Sequence, residues 1–444
     1  MRPLVPAVTL LLPAVVAAQA PPPPPILHLT LAAAVAQAVD SAPAVLVAAL
    51  REMEAEERVR QVRAPLRPVV AASAGWLNRT FNPEQIGISL PAGTPAAPAG
   101  LIGPFDNWDA RVRASQALFD RAAGLRTGVA REQATGFGAE RERTEEVVAE
   151  RAALAYVGVQ RAGALAQARV TDSTLAAELV ELARAQVEAG VSAPIDVVRA
   201  RTRLAASAGA VIVARHDYAR ARIALGRALG LDPAVTVDAA QPLEATTAVL
   251  PLGEERAGLV EAAGQRRPEI ATEVAQVHAA ERSASAIGAE RWPRVEVAGD
   301  VGVNGPAPGD LLVTRQVGVQ VTVPLVDGFS LEARRGQETA KRSAAEIRLT
   351  DLRRQITAEV DAALLSLRAA EAQQAVAAEA LSLAEEELRQ ARERFAAGVA
   401  GSIELIEAQR SLVAARDAVI EALAGAAAAR VTLARAAGVA RQLR

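Results

Sequence analysis

The sequence predicts a mixed α and β chain made of two tandem copies of one unit, in which long antiparallel helices carry four alternating strands. Three observations lead there. The first is a repeated helical tip. Val187-Glu188-Ala189-Gly190-Val191-Ser192-Ala193-Pro194 and Phe395-Ala396-Ala397-Gly398-Val399-Ala400-Gly401-Ser402 each bring a helix to a glycine suited to a left-handed turn and start a new helix behind it, the second with Ser402 as its expected N-cap. Gly190 and Gly398 stand 208 residues apart, as do Asp196 and Glu404, and Ala200 and Ala408. The second observation is a pair of proline-free stretches, about Arg121 to Ala189 and about Ser330 to Ala397, each long enough for a helix of roughly 100 Å, which no single globular core needs. The third is period-two alternation ahead of each stretch, the mark of a strand with one apolar and one polar face.

Composition agrees with long helices. Aromatic residues make up 2% of the 444 residues, and the remainder is rich in Ala, Arg, Glu, Leu and Val. The net charge of −2 provides no basic field for nucleic acid. Lys341 is the only lysine, and the absence of cysteine excludes disulfides, thiolate metal sites and a cysteine nucleophile. Residues 1–20 read as a secretory signal: Arg2, an apolar run from Val8 to Val16, and the small-x-small site Ala18-Gln19-Ala20, followed by Pro21 to Pro25. Without a cysteine behind the cleavage site, a lipid anchor there is not expected. Past this segment no apolar run reaches the ~18 residues of a membrane helix, so entry into a membrane would have to be by strands.

The first repeat (21–230) opens with a helical stretch from Leu29 to Val62, capped by Thr30, broken at Pro43 and ended by Pro65 and Pro68. The second (254–438) repeats the plan from about Glu254, through the Arg267-Pro268-Glu269-Ile270 break, to Arg291 and Pro293. Pro43 to Pro268 and Pro68 to Pro293 are both 225 residues. The change from 225 to 208 implies an insertion of about 17 residues in the first copy, assigned to the Pro/Gly-rich loop Phe81 to Gly103.

In the second copy Arg294, Glu296, Ala298, Asp300, Gly302 and Asn304 alternate with Val295, Val297, Gly299, Val301 and Val303. After a turn at Gly305 to Asp310, Thr314, Gln316, Gly318, Gln320 and Thr322 oppose Val317, Val319, Val321, Val323 and Leu325. In the first copy Arg111, Arg113 and Ser115 oppose Val112, Ala114 and Leu118. The pattern fits either a half-buried sheet or a membrane barrel with a wet lumen. A half-buried sheet needs an apolar cover, which the Ala- and charge-rich helices do not supply. Four strands are too few to close a membrane barrel, so a barrel would require several chains. Trp76, Phe81, Trp108, Phe119 and Trp292 lie near strand ends, where an aromatic girdle belongs.

Within the long helices Val148, Ala152, Ala155 and Tyr156, and Ile356, Val360, Ala363 and Leu364, recur at three- and four-residue intervals, a coiled-coil-like spacing. The helices return from the tips to Gly230 and Gly438. Residues 231–253, with Pro233, Pro242 and Pro251 and no helical period, read as a linker or belt, and 439–444 as a C-terminal tail.

Taken in order, Leu29-Thr30-Leu31 with Pro43 downstream, the Arg267-Pro268-Glu269 break, the proline-led hairpins and the doubled Gly tip with its acidic-aliphatic run resemble the TolC-like outer-membrane efflux proteins over essentially the whole mature chain. That resemblance implies a homotrimer in which each chain gives four strands to one twelve-stranded transmembrane β-barrel, continuous with a periplasmic helical barrel. It implies an exit duct, not an enzyme and without a cofactor, served by an inner-membrane transporter and a periplasmic adaptor. The adaptor would meet the tips at Gly190, Val191, Ser192, Gly398, Val399 and Ala400. By the same resemblance the aperture acids are Glu404 and Glu407, three apart on one helical face, and Asp196 in the first copy. Glu404 and Glu407 stand where relatives usually carry Asp, and Ala400 where some place a gating Arg.

His28, His216 and His278 are scattered without ligand partners, and the Glu54/Glu56/Glu57 and Glu385 to Glu387 runs are spread round a helix by their consecutive placement. No Gly-rich phosphate loop follows a strand. The other readings weighed are a coiled-coil scaffold, which leaves the strands unexplained, and an adaptor subunit, which should have one helical hairpin and no duplication.

Overall fold

The computed structural model describes residues 26–82, 87, 101–245 and 255–443. The signal segment 1–20, the prolines behind it, most of the insertion and the end of the 231–253 segment lie outside those residues. The same order of elements runs twice. A helix pair, α1 (Leu31–Ser41) and α2 (Pro43–Arg63), leads to strands β2 (Val69–Phe81) and β3 (Ile102–Phe119), then to α3 (Arg121–Glu188) and α4 (Pro194–Ala228). The second pass has α5 (Arg256–Arg266), α6 (Pro268–Ala289), β5 (Arg294–Gly305), β6 (Leu312–Thr322), α7 (Ser330–Ala396) and α8 (Ser402–Ala436).

Local chemistry sets most boundaries. Thr30 caps α1 by accepting from the Ala33 amide at 3.3 Å, and Asp120 caps α3 through the Ala123 amide at 2.8 Å. Pro43, Pro194 and Pro268 each open a helix at a position where the missing N–H costs nothing. Gly190, Gly230, Gly398 and Gly438 all take a left-handed φ just past a helix end, between 68° and 75°. Ser402 departs from expectation. The residue before α8 is Gly401, and Ser402 is the first helical residue, its hydroxyl donating instead to the Asp196 carboxylate across the hairpin interface. The start of a helix offers only N–H donors, so the hydroxyl proton finds its acceptor in the carboxylate, in a charge-assisted bond.

The four long strands form one antiparallel sheet in the order β2-β3-β5-β6. Pairings such as Arg113 with Asp300 and Asp300 with Gln316 put the polar positions of three strands on one face, and Val112, Val301, Val317 and Val319 on the other. No helix covers the valine face among the described residues: Val317 is 82% exposed and Val319 65%. Strand β3 runs 18 residues, longer than the alternation alone suggested. Trp76 and Trp108 therefore lie inside their strands and pair with each other, level with Gly305 at the end of β5.

Helix α3, 68 residues long, is the hub: α4, α2 and α6 pack along it, and α7, 67 residues long, pairs with α8. The main core gathers Ala149, Ala152, Ala153 and Tyr156 of α3 against Ile356, Val360 and Leu364 of α7, with Leu433 and Ala434 of α8. The small side chains allow helix axes to approach closely, which explains so apolar a core with so few aromatics. The tail docks here too: Glu146, 1% exposed, accepts from the Ala440 amide at 2.8 Å and the Arg441 guanidinium at 2.9 Å.

The belt contains a pairing that the sequence did not signal. Strand β4 (Thr236–Ala239), inside the segment read as a linker, lies parallel to β1 (Ile26–Leu29), with Leu27 opposite Val237 and His28 opposite Asp238. Two four-residue runs are too short to show a period, and only the chain's return over the helices makes them neighbours.

Candidate functional site: the helical tips and the polar wall

Both tips close by the same backbone device. The amide of Val191 reaches the Gln186 carbonyl at 3.0 Å, and that of Val399 the Arg394 carbonyl at 3.0 Å, each across a left-handed glycine. The tips touch: a Cβ on Gly398 would stand 2.7 Å from a Val191 methyl, whereas one on Gly190 would meet nothing within 4 Å. The Gln186 amide group adds a bond to the Ala396 carbonyl at 3.1 Å. Val191, Val399 and Ile403 remain largely exposed, so the apolar residues at the ends of the hairpins point away from the core.

The three predicted acids are not equivalent. Asp196 is 9% exposed, accepts from the Ser402 hydroxyl and pairs with Arg199 at 3.3 Å; it joins the start of α4 to the start of α8. Glu404 and Glu407 lie on the exposed face of α8. Glu404 pairs with Arg394 of α7 at 2.9 Å and Glu407 with Arg410 at 2.8 Å. Arg394 was not anticipated. Its signal is legible afterwards: a base in the last turn of one helix faces an acid in the first turn of the next, each favoured by its own helix dipole. At position 400 the side chain is only a methyl, so the cations that meet these acids are Arg394, on Glu404, and Arg410, on Glu407.

At the opposite end, the polar face of the sheet carries charges of both signs that largely satisfy one another. Arg111 bonds Asp109 on its own strand and reaches Asp300 of β5 at 3.2 Å, and Arg294 meets Glu296 at 2.9 Å. At the strand–helix junction, Arg334 and Arg126 converge on Glu290 at 2.7 and 2.5 Å, and Arg121 stacks over Trp292 at 4.5 Å. The Arg334 hydrogen bond, then that of Arg126, holds the Glu290 carboxyl below the usual carboxylate range. Among the described residues no group of three or more His, Asp or Glu side chains could hold a metal ion, and no single helix is long and apolar enough to cross a membrane.

The comparisons with known proteins agree with this architecture. Protein CyaE of Bordetella pertussis is 28% identical over 367 residues, covering 80% of this chain and 72% of CyaE. The outer-membrane channel OprN superposes with a TM-score of 0.76 at 21% identity, covering 93% of this chain and 90% of its own. The outer membrane protein VceC of Vibrio cholerae gives 0.74 at 18% identity, covering 92% and 96%. The model of the outer membrane efflux protein family matches residues 34–231 and 259–439, which between them contain both tips and all four strands of the sheet. The chain belongs to the outer membrane efflux protein family.

Proposed function

We propose that this protein is the exit duct of a tripartite efflux or type I secretion system, passing substrates from an inner-membrane transporter and a periplasmic adaptor to the exterior without energy input of its own. The observation that carries the reading is the four-stranded sheet, apolar and uncovered on one side and polar on the other, continuous with helices 67 and 68 residues long. Among the described residues, strands β2 and β6 are unpaired along their outer edges. Three copies pairing β6 to β2 would close twelve strands, place the valines in lipid and enclose the polar face. The α3/α4 and α7/α8 hairpins continue the wall as a periplasmic tunnel of roughly 100 Å.

At the tunnel's end Glu404 and Glu407 are the aperture acids, repeated about a threefold axis where like charges repel and a divalent cation bridges them. Asp196 supports them by locking the two hairpins together. The adaptor docks on Gly190, Val191, Ser192, Gly398, Val399 and Ala400, where exposed valines flank turns that bring the backbone close to the surface.

The test is single-channel conductance of the detergent-extracted oligomer in a planar bilayer, with and without millimolar divalent cation. Small, cation-blocked steps are expected. No steps from folded, oligomeric material refutes the duct and returns the valine face to a protein-covered scaffold.

A further inference from the structure

The register of the sheet places one charge where the duct reading puts lipid. Along β6 the outward positions are Val313, Arg315, Val317, Val319 and Val321, while Thr314, Gln316 and Gln320 face the polar side. Arg315 is paired across the strand with Val301, which sits opposite Val112, which sits opposite Ala72. Its row on the outer wall is therefore apolar throughout. The guanidinium is exposed and, among the described residues, has no hydrogen bond, ion pair or ring contact.

Closing the barrel does not supply a carboxylate from the adjoining strand. In the trimer β6 adjoins β2 of the next copy, and the whole of β2, Val69–Phe81, contains neither Asp nor Glu, so no register of that seam offers one. A strongly basic group that protein leaves uncompensated on a lipid-facing wall must draw its counter-charge from the lipid.

Depth selects which part of the lipid. Trp108 and Trp76 pair on the outer face at the level of Gly305, with ring centroids 6.4 Å apart, and Asp106, next toward the outer end, accepts from the Trp76 indole at 3.1 Å and the Asn78 amide at 2.8 Å. This aromatic and polar group marks the outer interface. The Arg315 row lies four residues below it, about 13 Å along a strand. A guanidinium rooted at that depth reaches upward along its own stem to the headgroup boundary of the outer leaflet.

We propose that Arg315 binds a phosphate group of a phosphorylated outer-leaflet glycolipid, one site per protomer on the outer wall of the barrel. The planar guanidinium fits a phosphate through two parallel hydrogen bonds, which a neutral headgroup cannot match. The proposal rests on the trimeric barrel described above.

The test is native mass spectrometry of the full-length oligomer released from detergent, titrated with diphosphorylated lipid A and with the same lipid stripped of phosphate. The wild type is expected to prefer the phosphorylated form by about tenfold. Arg315→Gln should abolish that preference while keeping the oligomer and its conductance, and Arg315→Lys should retain part of it, a charge without the planar fork. A wild type that binds both lipids equally overturns the proposal, as does Arg315→Gln binding like wild type. So does an Arg315→Gln oligomer that dissociates more readily in lipid-free detergent, because the side chain then serves the protein seam. If Arg315→Gln does not assemble, the wild-type comparison decides alone. A wild type that forms no conducting oligomer refutes the barrel itself, whereas a conducting oligomer indifferent to phosphate refutes only this site.

Discussion

Gly190 and Gly398 occupy matching turns with φ of 75° and 71°, yet alanine should damage them unequally. Gly190→Ala pays only for a left-handed backbone, about 1 kcal/mol, because nothing lies within 4 Å of the new methyl. Gly398→Ala bears the same strain and also places its methyl 2.7 Å from the Val191 side chain. Val191 must retreat by about 0.7 Å to restore ordinary contact, and turning an exposed valine off its rotamer costs about a further 1 kcal/mol. Local opening of the tip should then rise about fivefold in Gly190→Ala and about thirtyfold in Gly398→Ala, since each 1.4 kcal/mol is about a factor of ten. Hydrogen exchange of tip peptides, resolved by mass spectrometry, reads both. The contact makes a sharper demand: in a Val191→Ala background the excess in Gly398→Ala should vanish, as in a double-mutant cycle. Equal acceleration in the two single variants, or an excess that survives Val191→Ala, would refute the reasoning that the tips bear on each other through this methyl.

Three further outcomes follow from the same geometry. Glu404→Ala combined with Glu407→Ala should raise single-channel conductance or weaken divalent block, by removing the repelling carboxylates and freeing Arg394 and Arg410; unchanged behaviour in both measurements removes these acids from the aperture. Glu146→Gln should destabilise the fold by about 2–4 kcal/mol in chemical denaturation, because the buried carboxylate holds both the Ala440 amide and Arg441; a loss under about 0.5 kcal/mol would show that the tail docks without it. The Glu290 carboxyl titrates below its ordinary value of 4.5, so its contribution is present above that value and is lost as pH falls through the lower, folded-state value. Thermal unfolding followed from pH 6 to about pH 3 should show a steeper acid loss in wild type than in Glu290→Gln; parallel curves would detach the Arg126–Glu290–Arg334 cluster from stability.

Much of the architecture is written in local pattern. A proline opening each of α2, α4 and α6, a glycine past each long helix, and strict period-two alternation act over one to ten residues, and the elements form where those signals stand. The candidate site was legible in the same way as far as position: Gly190, Gly398, Glu404 and Glu407 all lie at the ends of the hairpins. Their chemistry was less so. Asp196 matches Glu404 in repeat position, yet it is buried against Ser402 while Glu404 is exposed beside Arg394, because the two hairpins pack asymmetrically on one another. Ser402 read as a cap since sequence shows the hydroxyl and the helix start but not the carboxylate that arrives from residue 196.

By itself, then, the sequence determined the long helices and the four long strands, which face of each long strand is apolar, and the family, since each of these rests on neighbours along the chain. The tertiary structure alone decided the parallel pairing of β1 with β4, the clasp of Arg441 on Glu146, the contact of Val191 with Gly398 and the isolation of Arg315 on the apolar face of the sheet. Those partners lie on different elements, often hundreds of residues apart, and only packing brings a side chain to, or keeps it from, the group that would satisfy it.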